Sequence, residues 1–452
     1  MNAVMLRLRA VELYERAVTL RLPFRFGAAT VTRCPQAFVR IDAEVNGRTV
    51  AGASAELMVP KWFDKRPTLT HEQNFEQLRE ALRFAREAYL DAGAAQTPWQ
   101  FSEQDGEAAI AKGVSLGLPR LAAQFGSALL DKAVADAALR AVELPWSAGV
   151  KAGVLGDPYA ARLELQAPTH VAVRHTVGLA DRLTDGEPGT DPNDGLPATL
   201  DAVIERYGLR YFKLKLSGQL GSDIKRLHSI ALLLDSRAAD YRVTLDGNET
   251  FTDAASVSRF WHSLKQQPRL RNLVQRTLLL EQPLPRQVAL REPIAHLEIG
   301  VPVILDESDD HAQAFEEGLA LGYRGISSKA CKGLYRSLHN AVMVMQAPSQ
   351  RLLSGEDLTC QAGLAVQQDT LLAASLGITH IERNGHHYVD GFGIAPEAEA
   401  RSFAEAHPGF YDDSSGRPRL SVRDGLLDLQ SLHVPGFASA ATPHWDSLQR
   451  ID

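Results

Sequence analysis

The chain has 452 residues, 45 % of them hydrophobic and 23 % charged, with a formal net charge of -7. That length asks for more than one small domain, and the composition is that of a globular protein. The acidic balance leaves no footprint for nucleic acid. No run approaches the roughly 18 apolar residues of a membrane span, and Cys34, Cys331 and Cys360 fit neither a disulfide framework nor a zinc module, so a reduced, cytoplasmic setting is expected.

The first segment, MNAVMLRLRAVELYERA, mixes Arg and Glu into its apolar residues and has no signal-peptide core. Up to about residue 55, LRLRAVELYERAVTL and QAFVRIDAEVNGRTVAG alternate apolar and polar residues, which predicts strands, with Asn46-Gly47 as a hairpin turn. AELMVPKWFDKRP has two prolines and no period, and reads as a loop. Thr70 and Gln73 form a capping box for a helix that stops at Gly93, and ALLDKAVADAALRAVEL predicts a second helix ending near Pro145. This first part is an α+β module of about 145 residues.

From about residue 150 the pattern changes to short apolar runs separated by helical stretches. The runs are HVAVRHTVG, YFKLKL, RVTLD, TLLLE, PVILD, GISSK, RLLSG and HIER, and two of the later helices stop at Gly322 and Gly377. Eight strand–helix units over roughly 230 residues fit a parallel (β/α)₈ barrel of the TIM type, for which about 250 residues is usual. A doubly wound sheet would want a Gly-rich turn after its first strand, and there is none. The Gly/Pro/Asp-rich stretch at 181–197 is a long loop, and the tail from about 408 predicts an appended strand pair.

Five consecutive runs end in charge: Lys213 and Lys215, then Asp246, Glu281, Asp306 and Lys329. In a barrel these ends converge on one mouth, where active sites are built. Three crowded carboxylates need a compensating cation, and oxygen-only ligands suit Mg²⁺, or Mn²⁺, rather than zinc. Lys213 and Lys215 are two apart on a strand and share a face. Mutual repulsion, the nearby metal and burial are expected to lower a lysine pKa toward neutrality and make it a general base. Lys329 would approach from the opposite side, so that one lysine removes an α-proton from a carboxylate substrate and the other returns it, with the metal stabilising the enediolate. Taken singly, a Lys-x-Lys is ordinarily a solvated face and an Asp or Glu after an apolar run a helix cap or surface turn, as Asp253 and Asp310 are read here. The six charges in this order are not explained that way. No role is assigned to His386 and His387, for which surface or core positions are expected.

YFKLKL, VTLDGNETF, LLLEQPLP, VILDES and ISSKACKGL resemble the blocks of the enolase superfamily, specifically its branch of muconate-lactonizing-enzyme-like proteins (the mandelate racemase/muconate lactonizing enzyme family). LPFRFGAATVTRCPQAFVRID and ALLDKAVADAALRAVELPW resemble its N-terminal domain. The resemblance implies a modified (β/α)₈ barrel at 149–410, an α+β capping domain at 1–148, and a C-terminal segment at 411–452 packing back on the cap. It implies that Asp246, Glu281 and Asp306 bind Mg²⁺, that Lys215 and Lys329 are the opposed acid/bases, and that Lys213 helps to hold the substrate carboxylate and to lower its partner's pKa. Lys332 competes with Lys329 for its role, and Asn248 and Glu307 orient the ligands. A homo-oligomer acting on a small carboxylate, with no nucleic-acid or membrane partner, is expected. The sequence departs from the pattern where Gly333-Leu334 replaces a glycine pair, and where HIERNGHHYVDGF lacks the Asp-x-Asp that dipeptide epimerases use. The expected activity is racemisation, epimerisation or cycloisomerisation. The alternatives are an acid-sugar-type dehydratase on the same scaffold, a lysine Schiff-base aldolase, and a non-catalytic metal-stabilised barrel.

Overall fold

The computed structural model describes residues 3–238 and 240–452. Three long strands, β1 (Arg7–Phe26), β2 (Ala29–Val45) and β3 (Arg48–Leu57), make an antiparallel sheet. Alternation in β2 buries Val39, Ile41, Ala43 and Val45 between half-buried Arg40, Asp42 and Glu44, which gives the sheet one inner face. Asn46 and Gly47 both take positive φ, 50° and 75°, as a two-residue hairpin turn requires.

Against that sheet lie two long helices. In His71–Asp91 the Thr70 side chain accepts from the Gln73 amide while the Gln73 side chain accepts from the Thr70 amide, the reciprocal cap expected from the sequence. Phe75, Leu78, Leu82, Ala85 and Tyr89 form its buried stripe. Helix Arg120–Ala141 is buried all round from Leu121 to Leu139, and small residues allow it. A Cβ on Gly126 would lie 2.0 Å from the Ala81 carbonyl oxygen, and one on Gly52 would lie 2.1 Å from that of Ala133. Helical turns over Pro98–Ser115 join the two helices and were not anticipated. Gly106 and Gly113 interrupt the apolar pattern there, and both are needed for close packing against Tyr89 and Ala123.

The eight expected barrel strands are all present: β4 (His170–Val177), β5 (Tyr211–Lys215), β6 (Arg242–Asp246), β7 (Thr277–Glu281), β8 (Val303–Leu305), β9 (Gly325–Ser328), β10 (Leu352–Gly355) and β11 (His380–Glu382). Each is parallel to the next, and β11 pairs back with β4, which closes the barrel. Asp253 is indeed an N-cap, and Gly322 and Gly377, at φ 105° and 84°, end their helices in the left-handed region. The tail forms the expected pair, β12 (Tyr411–Asp412) with β13 (Arg419–Leu420). It then adds β14 (Leu426–Asp428) antiparallel to β4, and β15 (Gln449–Arg450) antiparallel to β1. Among the described residues no helix is long and apolar enough to cross a membrane.

Candidate active site

The parallel register levels the strand ends: Lys215 lies opposite Asp246, and Asp246 opposite Glu281. Lys213, Lys215, Asp246, Glu281, Asp306 and Lys329 are all buried. The ring of charge is larger than the sequence reading had it. Arg174 on β4, Glu356 directly after β10 and Glu382 at the end of β11 are also buried, so every barrel strand carries an ionisable group within or just after its C-terminal half. The signal for two of these was present, since RLLSGE and HIE are apolar runs ending in a carboxylate as TLLLE does. Arg174 sits inside its strand, where nothing local marks it.

Lys213 is the hub. Its Nζ lies 2.9 Å from Asp246 Oδ2, 2.8 Å from Glu281 Oε2, 2.6 Å from Glu356 Oε2 and 2.9 Å from Glu382 Oε2. Arg174 pairs with the other oxygen of Glu356. Burial opposes charge on Lys213, but Asp246, Glu281, Glu356 and Glu382 together hold its ammonium well above the usual lysine range. The expected lowering of a lysine pKa is therefore reversed in this arrangement. Lys215 is two positions away in sequence, but four carboxylates are in contact with the Lys213 ammonium. Lys213 is thus clasped by four carboxylates beneath the site.

Lys215 and Lys329 flank the row of three carboxylates. Lys215 Nζ donates to Asp246 Oδ2 at 2.6 Å, and Lys329 Nζ donates to Asp306 Oδ2 at 2.6 Å. Lys329 is deeply buried, yet Asp306 outweighs that burial and raises its pKa. Asp306 in turn is held far below the carboxylate range against its own burial, by Lys329, Lys332 and Lys213. Lys332 donates to Asp309 Oδ2 at 2.9 Å and to the Ser327 carbonyl and hydroxyl, and it stands 3.7 Å from Asp306 Oδ1. Those partners make Lys332 a brace for Asp306 rather than a rival of Lys329.

The turns after β6 and β7 hold left-handed residues: Asn248 (φ 42°), Glu249 (φ 64°) and Gln282 (φ 33°). Gln282 uses this turn to tie two strand ends, accepting from the Asp306 amide at 2.7 Å and donating to the Ser308 hydroxyl at 2.7 Å. The Asn248 amide donates to Asp246 Oδ1 at 2.9 Å, and its side chain reaches Glu307 at 3.4 Å, where Lys65 of the cap also donates at 3.2 Å. Asn248 and Glu307 thus stand beside the Asp246 and Asp306 strand ends.

The cap closes over the lysines with aromatic rings. Lys215 Nζ is 5.7 Å from the ring centre of Phe24 and 5.9 Å from that of Phe26, and Lys329 Nζ is 4.4 Å from that of Trp62. The 181–197 loop is pinned by half-buried Arg21, which pairs with Asp194 at 2.5 Å and donates to the carbonyls of Pro197, Leu196 and His387. His386 and His387 are core residues. Burial lowers both pKa values, that of His386 to about 3, and His386 Nε2 meets His175 Nδ1 at 3.1 Å.

Among the described residues no three His, Cys, Asp or Glu side chains stand ready to hold a metal ion, and Asp246 and Glu281 face the Lys213 ammonium. The donor chemistry nevertheless fits a hard cation: three wholly buried, oxygen-only ligands at neighbouring strand ends. Glu281 Oε2 has no hydrogen-bond donor among the described residues despite its approach to Lys213, which lies off the bonding direction. Burial, then the Asp246 and Glu356 carboxylates, push Glu281 well above the usual carboxylate range, and a cation would relieve that excess of negative charge.

Solved structures of muconate-lactonizing-enzyme-like proteins share this fold and match nearly the whole chain. The muconate lactonizing enzyme of Mycobacterium smegmatis, complexed with muconolactone, superposes with a TM-score of 0.65 at 16 % identity, covering 99 % of this chain and 100 % of its own. The 2-chloromuconate cycloisomerase of Rhodococcus opacus gives 0.61 at 15 % identity, covering 96 % and 97 %. The dipeptide epimerase of Enterococcus faecalis, complexed with Mg and L-Leu-L-Tyr, gives 0.61 at 15 % identity, covering 96 % and 99 %. The resemblance in the sequence blocks is thus matched in the fold. No protein-family model and no curated protein matches the chain.

Proposed function

We propose that this chain is an enolase-superfamily enzyme that removes the α-proton of a small carboxylate substrate with divalent metal, leading to racemisation, epimerisation or cycloisomerisation. The observation that carries the reading is the placement of two lysines at opposite ends of one carboxylate row, Lys215 on Asp246 and Lys329 on Asp306, each at 2.6 Å.

Asp246, Glu281 and Asp306 would hold Mg²⁺, or Mn²⁺. When bound, the ion supplies positive charge where an oxyanion develops on the substrate carboxylate. Lys213 remains a fixed cation under the site, locking Glu356 and Glu382 and keeping their charge from the substrate. Lys329 keeps its proton while Asp306 is its partner, and it loses that support when Asp306 is engaged elsewhere. Lys215 and Lys329 then exchange a proton with the two faces of the α-carbon. Phe24, Phe26 and Trp62 exclude water from both ammonium groups, which keeps an abstracted proton from being lost to solvent. The β11 end, where an Asp-x-Asp would hold a substrate amine, is spent on the Glu382–Lys213 pair. That favours substrates without a free amine over dipeptides. The Schiff-base alternative would use one lysine and leave the buried Asp246, Glu281 and Asp306 beside it without a role.

The test is solvent-deuterium incorporation at the α-carbon across a panel of acid sugars, amino-acid derivatives and lactones. Lys215→Ala and Lys329→Ala should each abolish exchange from one face, by about 10²-fold or more. Asp246→Asn and Glu281→Gln should lose calorimetric Mg²⁺ binding together with exchange. Full exchange in either carboxylate variant, or equal small losses on both faces in the lysine variants, would overturn the proposal.

A further inference from the structure

A cavity of about 270 Å³ lies at the junction of cap and barrel, and none of the six charged residues predicted from the sequence lines it. Its barrel wall runs from Lys332 to His339, at the start of helix Leu334–Met345. Its cap wall comes from Trp99, the turns that follow it, and helix Arg120–Ala141. The lining is aromatic to an unusual degree. Trp99 meets Tyr159 and Tyr335 edge-on, with ring centres 5.4 Å and 5.1 Å apart, and Tyr159 stacks on His339 at 5.3 Å.

Two polar groups in this lining are unsatisfied. Tyr335 is only 5 % exposed, and its hydroxyl has no partner among the described residues; neither has Arg336 Nη1. A guanidinium nitrogen can only donate, so the missing partner is an acceptor. A buried donor left unpaired costs about 1–3 kcal/mol, more when charged. Of the acids nearby, Asp309 Oδ1 stands 4.0 Å from Arg336 Nε and leaves Nη1 unmet, and the others are engaged elsewhere or exposed. Glu107 pairs with Arg120 at 2.7 Å, and Asp131 spends its two oxygens on the Tyr89 and Ser102 hydroxyls at 2.6 Å and 2.8 Å. Glu103 is exposed at the rim.

We propose that this cavity is a second binding site, for a small aromatic carboxylate whose anionic end is held by Arg336 and Tyr335 and whose ring lies among Trp99, Tyr159 and His339. Arg336 Nη1 and Tyr335 Oη are shut off from solvent as they stand, so the carboxylate is met by a rotation of the Arg336 side chain, which is 12 % exposed. Arg336 also links the cavity to the barrel mouth. Its Nε is 4.0 Å from Asp309 Oδ1, Asp309 Oδ2 accepts from Lys332 at 2.9 Å, and Lys332 stands 3.7 Å from Asp306. A ligand that draws Arg336 away from Asp309 therefore acts on the brace of Asp306, and through it on Lys329. The site itself does not depend on the reaction proposed above.

Benzoate is the probe, titrated calorimetrically into the full chain, into Arg336→Gln, Tyr335→Phe and Ala128→Leu, and into Lys215→Ala as a marker for the barrel mouth. One site of millimolar affinity or tighter is expected, weakened about tenfold or more by Arg336→Gln and a few-fold by Tyr335→Phe. Ala128→Leu, which fills the cavity and leaves Arg336 in place, should abolish binding, and Lys215→Ala should leave it unchanged. Inorganic phosphate and cyclohexanecarboxylate should bind more weakly than benzoate. Circular dichroism melts establish that each variant is folded. The proposal is overturned by absence of binding at millimolar benzoate, by binding that survives Arg336→Gln or Ala128→Leu but not Lys215→Ala, or by phosphate binding as well as benzoate.

Discussion

Replacing Lys213 by methionine removes the one cation that four buried carboxylates share, and so tests the hub of the site. Asp246, Glu281 and Glu356 are 0 % exposed and Glu382 2 %, so water does not take over the lost contacts. Breaking a buried ion pair by removing one partner costs about 3–5 kcal/mol, because it leaves an uncompensated charge. With an unfolding entropy of roughly 2.1 cal/mol/K per residue, 452 residues give about 0.95 kcal/mol/K, so Tm should fall by about 3–5 °C. The deficit has a sign with pH. Without Lys213 the clustered carboxylates have folded pKa values above their unfolded ones, so the native state binds extra protons and its stability falls as pH rises. Thermal melts of Lys213→Met and the parent chain at about pH 5.5 and about pH 8 should show the larger deficit at the higher pH. Mg²⁺ should narrow the deficit at about pH 8 by replacing part of the missing charge. Equal Tm values for the two proteins, or a larger deficit at acid pH, would refute the placement of Lys213 as the shared cation.

Burial pushes the Asp131 carboxyl up to about 7, against the Tyr89 and Ser102 hydrogen bonds, so the folded pKa lies above the unfolded one. Its contribution to stability therefore declines as pH rises from about 4 to about 7 and is constant above. Asp131→Asn should lose that decline, visible as a Tm difference from the parent that grows more positive between about pH 5 and about pH 8; a pH-independent difference counts against it. Gly126→Ala should destabilise by about 3 kcal/mol in urea unfolding, because its Cβ would meet the Ala81 carbonyl at 2.0 Å across two packed helices. Gly221→Ala, near the start of helix Leu220–Arg237 with nothing within 4 Å, should be neutral or stabilising by about 0.5–1 kcal/mol; a loss at Gly221 as large as that at Gly126 would contradict the packing.

Features legible from local pattern were read well. The capping box at Thr70–Gln73, the Asn46-Gly47 hairpin, the glycine stops at Gly322 and Gly377, and the eight apolar runs each depend on residues a few positions apart. Period and turn chemistry report such features directly. The charges ending five of those runs were visible for the same reason. Glu356 and Glu382 end two more, but a lone carboxylate after a short apolar run looks the same as a surface turn until the barrel closes. Arg174 carried no local mark at all.

The sequence by itself determined that short parallel strands would carry lysines and carboxylates to one end of a barrel, since side-chain period and strand direction are properties of the local chain. Only the tertiary structure decided which charge meets which. Lys213 is joined to residues 33, 68, 143 and 169 positions away, and the sign of its pKa shift follows from those partners rather than from Lys215 beside it. The aromatic cover of Lys215 and Lys329 and the cavity at Arg336 also belong to that level, because cap and barrel residues far apart in sequence become neighbours only when the two domains pack.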